Sequence, residues 1–228
     1  TGISYQQQGN PAFMPQAAAN RLEFKYDDAG NRIKKASSGG ETTYYINAGL
    51  QVLNELDSQG RVSKMIVQGL GQIAEIDDDG AVTYIHSDVL ESAVFISDQA
   101  GAVVQQYDYD PFGNLIGQLG DPARGTKYQF TGQEYDEESN LGYFNARYYA
   151  PLLGRFISRD SYLGTDGDLL SRNRYAYVNN NPFKYVDPTG NEAEEKQSEE
   201  YGSSSVLVAS IFFITPTDYL DPLKEFKP

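Results

Sequence analysis

The sequence predicts an all-β protein, a chain of short β-hairpins, on three observations. It is rich in strand-forming aromatics, with 18 Tyr and 11 Phe and no Trp, while hydrophobic residues make up only 39% of the 228 positions. Tyr and Phe favour strands, and Tyr packs half-buried with its hydroxyl in water. Twenty-two Gly and 10 Pro supply frequent turns. A short pattern then recurs: an apolar or aromatic residue, an Asp or Asn, small polar residues, a Gly, and a new strand-like run.

The first copy is Tyr26-Asp27-Asp28-Ala29-Gly30-Asn31-Arg32, after an N-terminal extension, 1–19. Tyr45-Ile46-Asn47-Ala48-Gly49 is a degenerate copy, and Leu56-Asp57-Ser58-Gln59-Gly60 a clear one. Ile76-Asp77-Asp78-Asp79-Gly80, Ile96-Ser97-Asp98-Gln99-Ala100-Gly101 and Tyr109-Asp110-Pro111-Phe112-Gly113-Asn114 complete the series. In each, Asp suits a side-chain bond to the backbone two residues on, and Gly suits the left-handed position. The glycines stand 11 to 21 residues apart, room for one or two strands. Between them Arg61–Val67 and Ala81–Ile85 partly alternate apolar with polar. Residues 20–118 are therefore expected to form hairpins joined into one sheet, and 166–174 a brief helix after Asp166-Gly167-Asp168. Beyond 190 the chain changes character. Asn191 to Ser205 is rich in Glu, Ser and Gly and reads as a linker, whereas Val206 to Ile214 is apolar, too short to span a bilayer, and needs cover. Absence of a leader before Thr1 suggests a fragment of something longer.

Composition narrows function. A net charge of −14 repels phosphate, so nucleic-acid binding is not expected as the main role. Without Cys there are no disulfides or thiolate sites, and the single His86 cannot build a multi-His metal centre. Gly69-Leu70-Gly71-Gln72-Ile73-Ala74 resembles a dinucleotide fingerprint but lacks a following helix. Glu75-x-Asp77-x-Asp79-Gly80 resembles a calcium loop, with His86 where the bidentate Glu belongs. No cofactor and no metal are expected, and His86 suits a structural hydrogen bond. The remaining constellation is two acids 27 residues apart, Asp160 and Asp187. Taken alone, they suit either turn caps or a proton-sharing pair.

Tyr26-Asp27-x-x-Gly30-Asn31-Arg32 resembles the YD repeat, and the match becomes dense from Tyr84. Tyr107-Asp108-Tyr109-Asp110-Pro111-Phe112-Gly113, Phe130-Thr131-Gly132-Gln133-Glu134-Tyr135-Asp136 and Leu141-Gly142-Tyr143-Phe144-Asn145-Ala146-Arg147-Tyr148-Tyr149 are similar to the Rhs repeat-associated core. So are Gly154-Arg155-Phe156-Ile157-Ser158-Arg159-Asp160, Asn173-Arg174-Tyr175-Ala176-Tyr177 and Asp187-Pro188-Thr189-Gly190. The resemblance covers roughly 20–190 and includes bacterial polymorphic toxins, insecticidal toxin complex C components and teneurins. It implies a strand ribbon spiralling into a hollow shell, with 119–190 as the core plug that closes it and 191–228 as a C-terminal linker and apolar tail. It implies a secreted or cell-surface setting, no transmembrane segment, and as partners the rest of the shell and a C-terminal tail or cargo inside it. In toxin-bearing members the plug also cuts the chain just past Asp-Pro-x-Gly. Carried over, Asp160 and Asp187 are the catalytic acids of an aspartic-type autoprotease, Arg155 orients or balances them, and Gly190 and Asn191 mark the cleavage site. Toxin-bearing relatives usually have Leu where Asn191 stands, and their cut follows that Leu. A teneurin-like adhesion module with an inert acid pair is the alternative the same resemblance offers.

Overall fold

The structure, a computed structural model, describes residues 21–69, 71–164 and 171–195. The chain divides into two compact units, Thr1–Gln197 and Ser198–Pro228, and the described residues all belong to the first. The extension 1–19 and the apolar run Val206 to Ile214 lie outside them, so the cover expected for that run is not addressed. No helix among the described residues is long and apolar enough to cross a membrane.

Ten strands form one antiparallel meander, each paired with the next: β1 (Leu22–Tyr26), β2 (Arg32–Ser37), β3 (Thr42–Ala48), β4 (Gln51–Leu56), β5 (Val62–Gly69), β6 (Gly71–Asp77), β7 (Val82–Ser87), β8 (Ala93–Asp98), β9 (Val103–Tyr109) and β10 (Leu115–Gly120). The Asp-to-Gly copies make the turns. Asp57 Oδ1 accepts the amides of Gln59 and Arg61 at 2.8 and 3.0 Å, and Gly60 takes φ +78°. Asp27, Asp98 and Asp110 repeat this bonding. Another turn was hidden from the pattern. Asp88 holds the amides of Leu90 and Ser92 in the same way, but Glu91 takes the left-handed position at φ +69°. The degenerate copy at 45–49 is not an Asx turn. Asn47 lies within β3 and donates to the Arg32 carbonyl, and Gly49-Leu50 alone links β3 to β4.

The dinucleotide-like glycines end β5 and begin β6 of a hairpin, with no helix behind them. Glu75 is buried and engaged by Lys64 and Thr126, each at 2.5 Å. His86 shares a 2.8 Å hydrogen bond with Ser97.

After β10 the chain makes a second sheet of four strands in sequence order: β11 (Glu134–Asp136), β12 (Leu141–Phe144), β13 (Arg147–Ala150) and β14 (Arg155–Phe156). Among the described residues, helical structure is limited to 3₁₀ turns such as Pro151–Leu153 and Val178–Asn180. Of the helix expected at 166–174, residues 165–170 are outside the described set and 171–174 form a turn. There the Arg174 and Tyr175 carbonyls are taken by Asp160 and Phe156, which draws the backbone into bridging β14 instead of coiling. Of the linker expected at 191–205, residues 191–195 are described, and there β16 (Glu194–Glu195) pairs with β15 (Tyr185–Val186), because backbone pairing needs no apolar side chain.

An aromatic cluster fills the second sheet: Phe130, Phe144, Tyr149, Phe156, Tyr177 and Val178. Tyr149 and Tyr177 have ring centroids 4.7 Å apart. The two sheets meet across a buried ionic seam. Arg32 on β2 reaches Glu134 at 2.6 Å and Asp136 at 2.7 Å, and its guanidinium lies 4.2 Å from the Tyr143 ring centroid. Lys127 bridges Glu55 of β4 and Glu134 at 2.9 and 3.0 Å, while Tyr45 donates to Glu134 at 2.9 Å. Buried charges are tolerated only when paired and hydrogen-bonded, so the seam fixes how the second sheet sits on the first.

Candidate functional site

The site is assembled by three backbone features. The β12–β13 hairpin turns through Asn145 in the left-handed region, φ +56°. Its side chain donates to the Pro188 carbonyl at 2.7 Å, and Ala146 N–H donates to the Thr189 carbonyl at 3.1 Å. The Asp187–Asn191 turn is thereby fastened to the hairpin tip. Gly190, at φ +73°, admits no larger residue, since a Cβ would overlap the Phe144 carbonyl. The segment after β14 is held by Arg174, whose backbone carbonyl accepts from Asp160 N–H at 2.8 Å and whose side chain donates back to the Asp160 carbonyl.

Arg147, the first residue of β13, points into the space so defined. Its Nη2 lies 2.9 Å from Asp160 Oδ2 and 3.0 Å from Asp187 Oδ2. Both oxygens sit on one nitrogen, so they are no more than about 5.9 Å apart, the sum of the two distances. All three side chains are buried, and the guanidinium carbon lies 3.6 Å from the Phe156 ring centroid. The sequence-predicted acids therefore do meet. Arg155 does not join them: it is exposed on β14, and the arginine between the carboxylates is Arg147. The signal for Arg147 lay in the Asn145-Ala146-Arg147-Tyr148-Tyr149 motif.

The predicted cleavage residues lie against the same groups. Asp187 Oδ1 accepts the amides of Asn191 at 2.9 Å and Glu192 at 3.1 Å. Arg147 Nε donates to the Gly190 carbonyl. The Gly190–Asn191 peptide thus has its carbonyl on a guanidinium and its amide on a carboxylate. Burial pushes the Asp187 carboxyl above its ordinary range, against the pull of Arg147 and the turn amides. Burial also lowers the Arg147 pKa, with both aspartates opposing. A carboxyl that keeps a proton more readily, a second carboxylate within reach and a cation on the carbonyl are the components of acid–base chemistry on a peptide bond.

A family model described as the teneurin YD-shell matches residues 4–186. The chain is 40% identical over 170 residues to the tRNA nuclease WapA of Bacillus subtilis (strain 168), covering 73% of this chain and 7% of that protein. It is 35% identical over 112 residues to the toxin protein Tse5 of Pseudomonas aeruginosa (49% of this chain, 8% of Tse5). To the toxin subunit YenC1 of Yersinia entomophaga it is 31% identical over 124 residues (53% and 12%). A crystal structure of TcdB2–TccC3–Cdc42 superposes with a TM-score of 0.62 at 22% identity, covering 75% of this chain and 9% of that one. The chain thus spans a small part of each relative's length. With a meander of YD-type turns on an aromatic-cored second sheet, and a family model matched over most of its length, the chain belongs to the teneurin YD-shell family.

Proposed function

We propose that this chain is the closing segment of a YD-repeat β-shell on a secreted or cell-surface protein, enclosing a C-terminal segment, and that it cuts itself at the Gly190–Asn191 bond. The observation that carries the reading is the Asp160–Arg147–Asp187 cluster on that peptide. In the proposed step Asp160 takes a proton from a water as its oxygen adds to the Gly190 carbonyl carbon. Arg147 stabilises the negative charge that develops on the carbonyl oxygen. Protonated Asp187 then gives its proton to the departing Asn191 nitrogen, and the C–N bond breaks. The products are a Gly190 carboxylate and an Asn191 amine. The plug would be the catalyst of a single turnover, with the segment beyond 190 as its product inside the shell.

The test is the mass of the expressed chain. Parent protein, 25.3 kDa when intact, should yield a fragment ending at Gly190, and Asp160→Asn and Asp187→Asn should both lack that fragment. An intact parent chain would remove the protease reading. The second reading is a teneurin-like adhesion module. It is favoured by the ion pairs themselves, because one guanidinium neutralising two buried carboxylates makes a stable clasp without catalysis.

A further inference from the structure

The two outer strands of the ten-stranded sheet are guarded differently. An edge strand leaves a row of backbone amides and carbonyls unpaired, and charged side chains keep other strands off it. β1 carries Glu23 and Lys25, and its Leu22 and Phe24 are buried against Tyr143 and Tyr148 of the second sheet. β10, Leu-Ile-Gly-Gln-Leu-Gly, has no charge and no proline. It pairs only with β9 among the described residues, and Ile116 and Leu119 are 67% and 73% exposed. Asp121 N–H goes to the Val104 carbonyl, so by the alternation of an antiparallel ladder the Gln118 amide points away from β9, without a partner among the described residues.

One segment singled out by the sequence matches that edge. Val206 to Ile214 is nine residues long, apolar and uncharged. The chain that leads to it passes close to β10. Tyr185 of β15 and Ala193, just before β16, pack on the same aromatic cluster as Tyr109 and Phe112, which flank the start of the β9–β10 turn. Residues 196–205 then reach at most about 33–36 Å when extended. A six-residue strand is only roughly 20 Å long.

We propose that the free edge of β10 is a strand-acceptor site and that Val206 to Ile214 is its occupant, added to the sheet as a further strand. Pairing satisfies the edge amides and carbonyls of both strands at once, and it covers a run that would be an aggregation hazard if left exposed. Neither strand carries a charge, so no like-charge pair opposes the contact. A second copy on the same edge would instead bring together two chains of charge −14, against their mutual repulsion. The inference rests on the enclosed C-terminal segment of the proposed function and not on the cut. It gives that segment a docking place, so that a tail severed at Gly190 stays bound by its backbone pairing.

The chain has no cysteine, so two introduced ones report on each other alone. In the full 228-residue chain Ser210→Cys is combined in turn with Leu115→Cys, Ile116→Cys, Gln118→Cys or Leu119→Cys. The control partner is Val89→Cys, 77% exposed on the β7–β8 turn. After mild oxidation at low protein concentration, the chain is digested without reductant and the joined peptides are weighed. A disulfide should form within one chain at one or two β10 positions and not at Val89. Adding Ile211→Pro should cut its yield severalfold by interrupting the pairing. Joining at Val89 as readily as at β10, joining only between two chains, joining at none of the four β10 positions, or a yield that Ile211→Pro leaves unchanged each overturns the proposal. A chain severed at Gly190 yet never joined overturns the docking and leaves the cut standing. A chain that is joined but stays intact supports the docking and removes the protease reading.

Discussion

At the residue scale, Arg147 decides what the acid pair is. Two buried carboxylates without it would be two uncompensated charges, and Asp187 already holds its proton more tightly because of burial. Replacing Arg147 by Met, which keeps much of the packing on Phe156, is expected to destabilise the chain by about 3–5 kcal/mol at neutral pH, read from urea unfolding. For Asp187 the folded state binds the proton more tightly than the unfolded one. Its contribution therefore favours the fold most at acid pH and declines as pH rises through the raised carboxyl range. In the Arg147→Met background the loss should accordingly shrink on acidification; a loss that is flat with pH would show that the two carboxylates are not what Arg147 compensates.

At the element scale, the turns and the seam do different work. Most turn glycines face open space, as at Gly60, so Gly60→Ala meets only the left-handed backbone cost of roughly 1–2 kcal/mol. Gly113 also has a left-handed φ of +80°, but an added Cβ would run into the Phe130 ring. Gly113→Ala should therefore cost more than Gly60→Ala by about 1–3 kcal/mol, measured by thermal or urea unfolding. Equal costs would mean that Phe130 does not press against that turn. In the seam, burial alone would raise the Glu134 pKa, but Arg32, Lys127 and Lys35 outweigh it and bring it down to about 2. A depressed carboxyl adds stability above its ordinary value of 4.5 and loses it as pH falls toward about 2. Glu134→Gln should thus be much less stable than the parent at neutral pH, with the gap closing between pH 4.5 and about 2 in a pH series of urea midpoints.

At the scale of the whole molecule, charge and topology make separate predictions. Net charge −14 opposes phosphate, so this segment should not retain tRNA in filter binding at physiological salt, whatever its much longer relative WapA does. Retention that falls steeply with added salt would contradict this. Far-UV circular dichroism should be dominated by strand, as a ten-stranded meander with a second four-stranded sheet requires. Both sheets join neighbours in sequence order, so most pairing is local.

The all-β class and the Asp-to-Gly turns could be read from the chain, whereas a joint role for Asp160 and Asp187 was only what the family resemblance implied. Turn chemistry is local: an aspartate carboxylate reaches amides two and four residues on, and a glycine allows the bend, so sequence spacing alone reveals it. It failed where the local rule was broken, at Glu91 in the glycine's place and at Gly49-Leu50 without an aspartate. The two acids were legible through their motifs, although nothing in a 27-residue separation specifies a distance. Which arginine lies between them was decided by tertiary structure, because the β12–β13 hairpin carries Arg147 across 40 residues of chain to Asp187 while β14 turns Arg155 outward. The seam was likewise invisible in sequence. Arg32, Glu55, Lys127 and Glu134 look like ordinary solvated charges until two sheets close over them and water is no longer there to compensate.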